Sequence, residues 1–333
     1  MFNFEIVAGG TVRDVLGDHR REVLDLVRRT YRLHETGETV NPDSYFLRFP
    51  EKPEARIIAL PAFLGPEAGV AGIKWIASFP ENTRSGTPRA SAVLVLNDYA
   101  TGYPVACLEA ATISSARTAA SAAVAATALR PEGHRGRTIA VVGAGVIARA
   151  ICDYLRAADC VPDSWLVHDL HEPSGRALVE HLRATRQAPV SFTAHLTEAL
   201  AADTVVFATT ALKPYVTTPF APGQLVLHVS LRDLAPEVVL GAQNILDDVD
   251  HCLKADTSPH LAEQVSGRRD FVTGTLAGVL DGTVTPDAGR PVIFSPFGLG
   301  VLDLALGAFV LEQARRAGTA VEIPDFFGET RRW

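Results

Sequence analysis

Lysine is scarce in this chain, and an excess of positive charge is missing. Only four of the 31 basic residues are lysines, namely Lys52, Lys74, Lys213 and Lys254, and the other 27 are arginines. Against them stand 38 acidic residues, which gives a net charge of −7. Nucleic-acid-binding proteins normally carry a basic patch or excess, so we expect no nucleic-acid partner. A lysine in an unusual place is more informative here than an arginine.

Long apolar runs and cysteine pairs are also missing. No run reaches the roughly 18 residues that span a bilayer, and the first residues, MFNFEIVAGGTVRDV, have neither region of a signal peptide. The four cysteines form no CxxC pair, and the ten histidines show no HxxxH or HExxH spacing. We therefore expect a cytoplasmic protein with free thiols, no membrane partner and no metal site.

The 333 residues predict two domains of different type. An amphipathic helix is predicted over 18–37, followed by strands over 56–60, 70–76, 92–96 and 105–108 that suggest an antiparallel sheet with one face covered. An alanine-rich helix over 114–129 comes next. From residue 138 strands and helices alternate (138–142, 146–157, 165–168, 174–184, 204–208 and 225–229), which indicates a parallel, doubly wound α/β sheet. A last helix is predicted over 301–317.

The clearest motif is a glycine turn between a strand and a helix. Gly143 and Gly145 sit in the pattern GxGxxA with Ala148, where the glycines permit a tight turn and close approach of a pyrophosphate. Asp169 ends the next strand, 24 residues after Gly145, at the spacing of an acid that bonds the adenosine ribose. Such a carboxylate favours NAD over NADP. The alternatives are a nucleotide-free turn and an ordinary strand-end acid, and we expect Arg176 to be solvent-exposed.

Four charged residues stand in apolar or strand-end settings. Lys74 lies inside the strand-like run GIKWI, where it either meets an anion or extends to the surface. Arg117 opens the alanine-rich helix as a substrate cation or a structural salt bridge, and Arg48 precedes Phe49 as a possible carboxylate fork. Asp233 follows a strand of the parallel sheet, so it is either a general acid/base or a helix cap before Pro236.

These segments together resemble the ornithine cyclodeaminase/μ-crystallin family. The strings GIKW and FPEN, ARTAASAAVAA, GAGVIA and the acid after HVSLR carry the resemblance, which runs from about Arg48 to Leu304. It implies a Rossmann dinucleotide-binding domain over 116–302. It also implies a discontinuous α+β substrate and dimerisation domain, residues 1–115 with 303–333, which pairs sheets across a homodimer.

The resemblance also implies roles for single residues. Arg48, Lys74 and Arg117 would bind the substrate α-carboxylate, and Asp233, with Lys74, would be catalytic. Together with the glycine motif, the predicted cofactor-binding residues are Thr118, Gly143, Gly145, Val146, Ile147, Asp169, Thr209, Ser230 and Gly298. The implied cofactor is NAD.

Two departures point to one branch of the family. Leu231 and Arg232 stand where cyclodeaminases have a glycine pair, and Arg89 stands where an uncharged residue is expected. The strings AGIKWIASFPEN, PRASAVLVLND, TGYPVACLE and HVSLRDLAPE resemble the branch that makes 2,3-diaminopropionate for siderophores and peptide antibiotics. The implied reaction is NAD-dependent cleavage of N-(2-amino-2-carboxyethyl)-L-glutamate to 2-oxoglutarate and L-2,3-diaminopropionate.

The charges agree with such a polycarboxylate substrate. It has three carboxylates, and Arg89 and Arg232 would add cations to the three named above, although each could instead be an ordinary arginine of this arginine-rich chain. The alternatives are an ornithine cyclodeaminase or related imine reductase or amino-acid dehydrogenase, and a non-catalytic NAD(P)-binding protein in the manner of μ-crystallin.

Overall fold

The computed structural model describes residues 3–65, 68–185 and 188–329. It divides into two compact units: Met1–Arg117 with Leu299–Trp333, and Thr118–Gly298. The first boundary thus lies at 117/118, where the sequence predicts 115/116, and the second at 298/299, where it predicts 302/303. The predicted first domain also includes residues 1, 2 and 330–333, which lie outside the described residues.

The elements are numbered in chain order. The strands are β1 (Phe4–Val7), β2 (Thr39–Val40), β3 (Tyr45–Phe49), β4 (Lys52–Leu64), β5 (Val70–Ser78), β6 (Ala90–Asp98), β7 (Pro104–Glu109), β8 (Thr138–Val142), β9 (Ser164–His168), β10 (Val190–Thr193), β11 (Thr204–Phe207), β12 (Leu225–His228), β13 (Gln243–Leu246), β14 (Val272–Thr275), β15 (Val292–Ser295) and β16 (Val321–Ile323). The helices are α1 (Gly9–Asp18), α2 (Arg20–Glu35), α3 (Ala111–Leu129), α4 (Val146–Ala157), α5 (Glu172–Arg183), α6 (Leu196–Leu200), α7 (Pro236–Leu240), α8 (Val249–Cys252), α9 (Ser258–Ser266), α10 (Leu276–Leu280) and α11 (Gly300–Arg316), with a 3₁₀ turn at Pro80–Ser85.

The first unit is built on an eight-stranded sheet in which β4 to β7 form an antiparallel meander. Helix α11 packs on β4, β5 and β6, and α2 packs on α11. Side chains alternate across the strands, so Lys74 and its cross-strand neighbour Leu94 are buried while Trp75 and Val93 face the other way and stay exposed. The sheet therefore has one covered face, as the sequence predicts.

The second unit is an eight-stranded parallel sheet in the order β10-β9-β8-β11-β12-β15-β13-β14. Its central strands, such as β11 and β12, are short and largely apolar and are buried along their whole length, because helices cover both faces of such sheets. From β8 the chain moves outward to β9 and β10 on one side and to β11 and β12 on the other. This reversal places a topological switch point at the carboxyl ends of β8 and β11, where α/β sheets bind ligands.

Several predicted elements have the observed bounds, and one differs in a way that matters. Strand β8 and helix α4 begin and end where the pattern predicts. Helix α3 begins at Ala111 rather than 114, because Glu109 Oε1 accepts a hydrogen bond from Ala111 N–H at 2.6 Å and stabilises the earlier start. Arg117 therefore lies in the second turn of the helix and does not open it.

The four cysteines are free thiols, three of them buried and Cys107 partly buried. Among the described residues, no helix is long and apolar enough to cross a membrane. The same residues contain no group of three or more His, Cys, Asp and Glu side chains suited to hold a metal ion.

Candidate functional site

The glycine turn of the second unit has the geometry of a dinucleotide cradle. Gly143 has φ +93°, and a Cβ there would lie 2.5 Å from the Ala208 carbonyl oxygen. A Cβ on Gly145 would meet nothing within 4 Å, so the space above this backbone is open. No side chain in the described part of the chain caps α4 at Gly145, so the first N–H groups of α4 can bind an anion.

Ala148, one turn into α4, is fully buried, which allows the helix to pack closely on the sheet. Val146 is exposed, and Ile147 is half-buried beside it. The three residues that follow the glycine turn therefore divide into two that face the open side and one that packs inward. These features fit a bound pyrophosphate, and they are the reason for assigning the cofactor to this loop.

Asp169 holds the glycine turn in place. Its Oδ2 accepts the Ala144 N–H at 2.6 Å, and its Oδ1 accepts the His171 N–H at 2.7 Å. Each carboxylate oxygen can accept a second hydrogen bond, so Asp169 can also bond a ribose hydroxyl. Arg176 is exposed, pairs with Glu172 and lies over the Phe192 ring at 5.5 Å, as the sequence predicts.

Among the Asp, Glu, Lys and Arg residues that the structure describes in this unit, Asp233 is the most deeply buried. It follows β12, and its carboxylate has no exposed surface. Oδ1 accepts hydrogen bonds from the Thr209 hydroxyl at 2.5 Å and the Tyr215 hydroxyl at 2.9 Å. Oδ2 accepts from the Ser230 hydroxyl at 2.5 Å and lies 3.2 Å from His228 Nε2. The residue that caps α7 is Ala235, so the helix-cap alternative for Asp233 is wrong.

These donors decide the protonation state of Asp233. Burial alone raises the pKa of the carboxyl group, but the bonds from His228, Ser230 and Thr209 outweigh it and lower the pKa to about 2. The pKa of Tyr215 moves the opposite way, upward, because of its burial and the Asp233 charge beside it. Asp233 is therefore a carboxylate and Tyr215 a phenol at neutral pH.

The turn before Asp233 carries backbone strain. Leu231 has φ +76°, a conformation that favours glycine and is costly for a branched side chain. The Ser258 N–H donates to the Leu231 carbonyl at 2.7 Å, and Arg232 Nη2 donates to the Ala255 carbonyl at 2.5 Å. These contacts hold the turn in a shape that a glycine would adopt without strain. They also place part of the Arg232 guanidinium on the backbone of its own unit.

Gly298 is held by a buried carboxylate. It has φ +96°, and its N–H donates to Asp247 Oδ2 at 2.7 Å while the Phe297 N–H donates to Oδ1 at 2.8 Å. The Cys252 thiol lies 3.0 Å from the same oxygen. Gly298 is thus fixed in a rigid turn after β15. Thr118, the remaining predicted cofactor residue, is half-buried on α3.

In the first unit, Lys74 and Arg117 converge on a carboxylate that the sequence analysis does not select. Lys74 Nζ lies 2.6 Å from Asp303 Oδ2 and 3.1 Å from the Ser114 hydroxyl. Arg117 Nε lies 3.4 Å from Asp303 Oδ1. Lys74 is 1% exposed, so it does not extend to the surface and its strand-interior position does signal an anion. Burial lowers the pKa of Lys74 to about 8.

Arg48 and Arg89 lie elsewhere on the same sheet. Arg48 faces Arg56 across β3 and β4, and Arg56 in turn faces Ser78, four residues beyond Lys74 on β5. Four residues of strand span about 13 Å, so Arg48 is not adjacent to the Lys74 pair. Arg89 directly precedes β6, whose Ala90 faces Ser78.

Arg48, Arg56 and Arg89 therefore lie at the same end of neighbouring strands. Arg48 is exposed and lies over the Phe46 ring at 5.4 Å. Burial lowers the pKa of Arg89, and within the described part of the chain no hydrogen bond or ion pair of its guanidinium is found. Arg48 and Arg56 lie directly opposite each other on neighbouring strands, which brings two like charges close together.

Sequence reasoning missed four residues of these clusters, namely Arg56, Tyr215, His228 and Asp303. Asp303 and Tyr215 carry no local signal, because their partners lie 229 and 18 positions away. His228 ends a strand within the string HVSLRD, and its distance of five positions from Asp233 offered a usable signal. Arg56 becomes notable only when the strand register places it opposite Arg48.

Comparison with known proteins gives matches over nearly the whole chain. The model of the ornithine cyclodeaminase/mu-crystallin family matches residues 14–318. N-((2S)-2-amino-2-carboxyethyl)-L-glutamate dehydrogenase of Staphylococcus aureus is 27% identical over 90% of this chain and 92% of its own. Nodulation efficiency protein NfeD of Rhizobium meliloti is 32% identical over 89% and 91%.

Among solved structures, Δ1-pyrroline-2-carboxylate reductase of Thermococcus litoralis, in complex with NADH and L-proline, superposes with a TM-score of 0.86. The sequence identity is 22%, and the match covers 96% of this chain and 100% of the other. This likeness establishes the fold.

Proposed function

The chain belongs to the ornithine cyclodeaminase/mu-crystallin family, and from this membership we propose that it is an NAD-dependent oxidoreductase acting on a carbon–nitrogen bond of an amino acid. One observation carries the proposal. The unit that holds the glycine cradle at the switch point of its sheet also holds Asp233, an ionised and fully buried carboxylate at the carboxyl end of β12. Burying a charge with four donors costs free energy, which a catalytic role would explain.

The substrate that we propose is N-(2-amino-2-carboxyethyl)-L-glutamate, which is cleaved to 2-oxoglutarate and L-2,3-diaminopropionate. Similarity to the Staphylococcus aureus enzyme supports this choice. The cations of the first unit support it as well. The buried Lys74 and the half-buried Arg117 lie together at Asp303, while Arg48, Arg56 and Arg89 lie at a second place on the sheet. Two separate groups of cations suit a substrate that carries three carboxylates.

Each site residue then has a definite task. Lys74 and Arg117 bind the α-carboxylate of the glutamyl part, which orients its Cα. The Gly143–Gly145 turn and Asp169 would hold NAD⁺, which would supply the hydride acceptor for that carbon. Asp233 accepts the proton of the bridging nitrogen through its hydroxyl donors and assists the attack of water on the imine. Water, substrate and NAD⁺ yield the two products, NADH and a proton, so atoms and charge balance.

Protons reach Asp233 through its hydroxyl donors. Its carboxylate has no exposed surface, so direct contact with a substrate nitrogen is blocked in this conformation. Thr209, Tyr215 and Ser230 each donate to the carboxylate and can pass a proton to it while accepting another. Of these three hydroxyl side chains that of Tyr215 is the most accessible, because Tyr215 is 41% exposed whereas Thr209 and Ser230 are half-buried.

The proposal is tested with purified protein, the proposed substrate and NAD⁺. We expect a rise in absorbance from NADH together with equal amounts of 2-oxoglutarate and 2,3-diaminopropionate. Proline and ammonia from ornithine without net NADH would instead identify a cyclodeaminase. Tight nucleotide binding without turnover of any amino acid would identify a μ-crystallin-like binding protein. Either result would overturn the proposed reaction.

The role of Asp233 is tested by Asp233→Asn. Loss of the carboxylate removes the proton acceptor, and general acid–base residues contribute typically about 10²- to 10⁴-fold to rate. We expect turnover to fall by at least this range while NAD⁺ binding, measured by fluorescence titration, stays unchanged. The matched control is Asp270→Asn, a surface aspartate of the same unit that is 64% exposed and should retain full activity. Unchanged turnover in Asp233→Asn would contradict the assignment.

We also propose that two copies of the chain pair through the uncovered face of the first unit's sheet. Tyr45, Trp75 and Val93 are all exposed on this face. Register aligns them in one row across β3, β4, β5 and β6, with Ala59 between the first two. Exposed apolar rows of this kind mark protein–protein interfaces.

A further inference from the structure

The carboxylate of Asp303 lies beside two cations, Lys74 and Arg117. It sits in the first turn of α11, where a negative charge is favoured by the helix dipole. The carboxylate has no exposed surface, and its two oxygens lie 2.6 Å from Lys74 Nζ and 3.4 Å from Arg117 Nε. Within the described part of the chain, Oδ1 makes no hydrogen bond, so it contacts Arg117 through charge alone.

The charges around Lys74 are few and can be named. Asp303 on α11 and Arg117 on α3 are the charged groups that act on it, and the Ser114 hydroxyl is its other polar contact. Its cross-strand neighbours on β4 and β6 are the apolar Leu60 and Leu94. Burial and Arg117 both favour loss of the Lys74 proton, whereas Asp303 opposes it. Asp303 is therefore the counter-ion of Lys74, and it opposes the loss of the lysine proton beside Arg117.

We propose that Asp303 is a positioning residue that keeps Lys74 an ammonium beside Arg117, so that the buried cluster holds one net positive charge for one substrate carboxylate. Two cations and one carboxylate leave a charge of +1, which one further carboxylate neutralises. Without Asp303 the pKa of Lys74 would be lower, and the site would lose part of its positive charge near neutral pH. The part about Lys74 stands by itself, and the part about the substrate carboxylate rests on the proposed function.

The scarcity of lysine makes a direct test possible. In protein labelled with ¹³C at lysine Cε, four side chains give signals, and Lys74→Arg identifies the Lys74 signal by its loss. We expect Lys74 of the wild type to be protonated at pH 7. In Asp303→Asn its pKa should fall by about one unit or more, while the exposed Lys52 and Lys213 stay unchanged. A Lys74 signal that titrates alike in both proteins, or that is neutral at pH 7 in the wild type, would overturn the proposal.

Steady-state kinetics test the link to substrate. With the proposed substrate and NAD⁺, the alkaline fall of kcat/KM should begin at a lower pH in Asp303→Asn, and KM at pH 8 should rise about tenfold or more. Asp303→Glu keeps the charge and should retain the profile of the wild type. Arginine stays protonated across this range. In the double variant Lys74→Arg with Asp303→Asn, kcat/KM should therefore no longer fall at alkaline pH.

A merely structural Asp303 would give a different result. Asp303→Asn would then lower the melting temperature and leave the alkaline limb where it is in the wild type, which would refute the positioning role. If Asp303→Asn does not fold, the wild-type titration of Lys74 and the profile of Asp303→Glu still decide. A shifted Lys74 signal in a protein without activity on the proposed substrate would support the charge argument and reject the proposed function.

Discussion

Asp233 shows how the chemistry of a single residue depends on its immediate donors. A buried carboxyl group in apolar surroundings would become neutral, but three hydroxyls and an imidazole hold Asp233 ionised. Because these hydrogen bonds lower its pKa, Asp233 would be a weak base if all of its donors stayed in place. Movement of one donor toward substrate would raise its basicity, and the half-exposed Tyr215 is best placed to move.

Replacement of Tyr215 by phenylalanine should therefore destabilise the protein. The change removes one donor from a buried carboxylate, which costs about 1–3 kcal/mol in the free energy of unfolding by urea at pH 7. The matched control is Tyr99→Phe, because Tyr99 is 59% exposed in the other unit and should change stability by less than about 0.5 kcal/mol. Equal values for the two variants would contradict the importance of the Tyr215 bond.

The pH dependence of stability follows from the same carboxylate. The pKa of Asp233 is lowered from 3.8 to about 2 in the folded protein, so the unfolded chain binds more protons between these values. The contribution of Asp233 is thus fully present above pH 3.8 and is lost as the pH falls toward 2. In Tyr215→Phe the folded pKa should rise, so the loss should occur over a narrower pH range. Urea unfolding of both proteins at a series of pH values between 2 and 5 measures this loss of unfolding free energy.

Among the elements, the turn between β8 and α4 was predictable in detail because its constraints are local. Gly143 needs a positive φ, and its missing Cβ leaves room for the Ala208 carbonyl. Gly145 and Ala148 follow at the spacing set by one turn of helix. Strand β3 was not predictable, because its residues are exposed on both sides and do not alternate between apolar and polar.

Gly143→Ala should disable this turn. A Cβ would lie 2.5 Å from the Ala208 oxygen and 3.1 Å from the Thr209 nitrogen, and backbone cannot yield as a flexible side chain does. We expect a lower melting temperature and an NAD⁺ affinity reduced about tenfold or more, measured by thermal unfolding and by titration. Gly10→Ala on α1 is the control, because a Cβ there meets nothing within 4 Å and alanine favours a helix. Unchanged NAD⁺ affinity in Gly143→Ala would reject the assigned role.

At the scale of the whole molecule, the uncovered apolar sheet face is the surface through which we propose that two copies of the chain pair. Large apolar side chains in a continuous row are rare on proteins that remain monomeric. Trp75 and Val93 are direct cross-strand neighbours there, at 40% and 42% exposure. A second copy of the chain offers the same row and would bury both, as expected of a twofold interface.

Trp75→Glu should therefore shift the protein from dimer to monomer. A charge at the centre of a buried apolar interface is costly when unpaired. Sedimentation velocity should show a dimer for the wild type and a monomer for the variant. Val265→Glu makes a similar change on α9 of the other unit, where Val265 is 66% exposed, and should leave the dimer intact. A wild type that sediments as a monomer would reject the proposed pairing.

The bounds of the two domains came from the family resemblance, but the sequence by itself determined the parallel sheet and the glycine turn after β8. It also singled out Lys74, because a lysine inside an apolar strand is improbable without an anion. These features follow from spacing, turn geometry and the cost of burying charge, all of which act over short stretches of chain. Asp303 as the partner of Lys74, the donors around Asp233 and the Arg48–Arg56 pairing were decided by tertiary structure. The reason is that electrostatic partners are chosen by distance in space, and Asp303 lies 229 positions from Lys74.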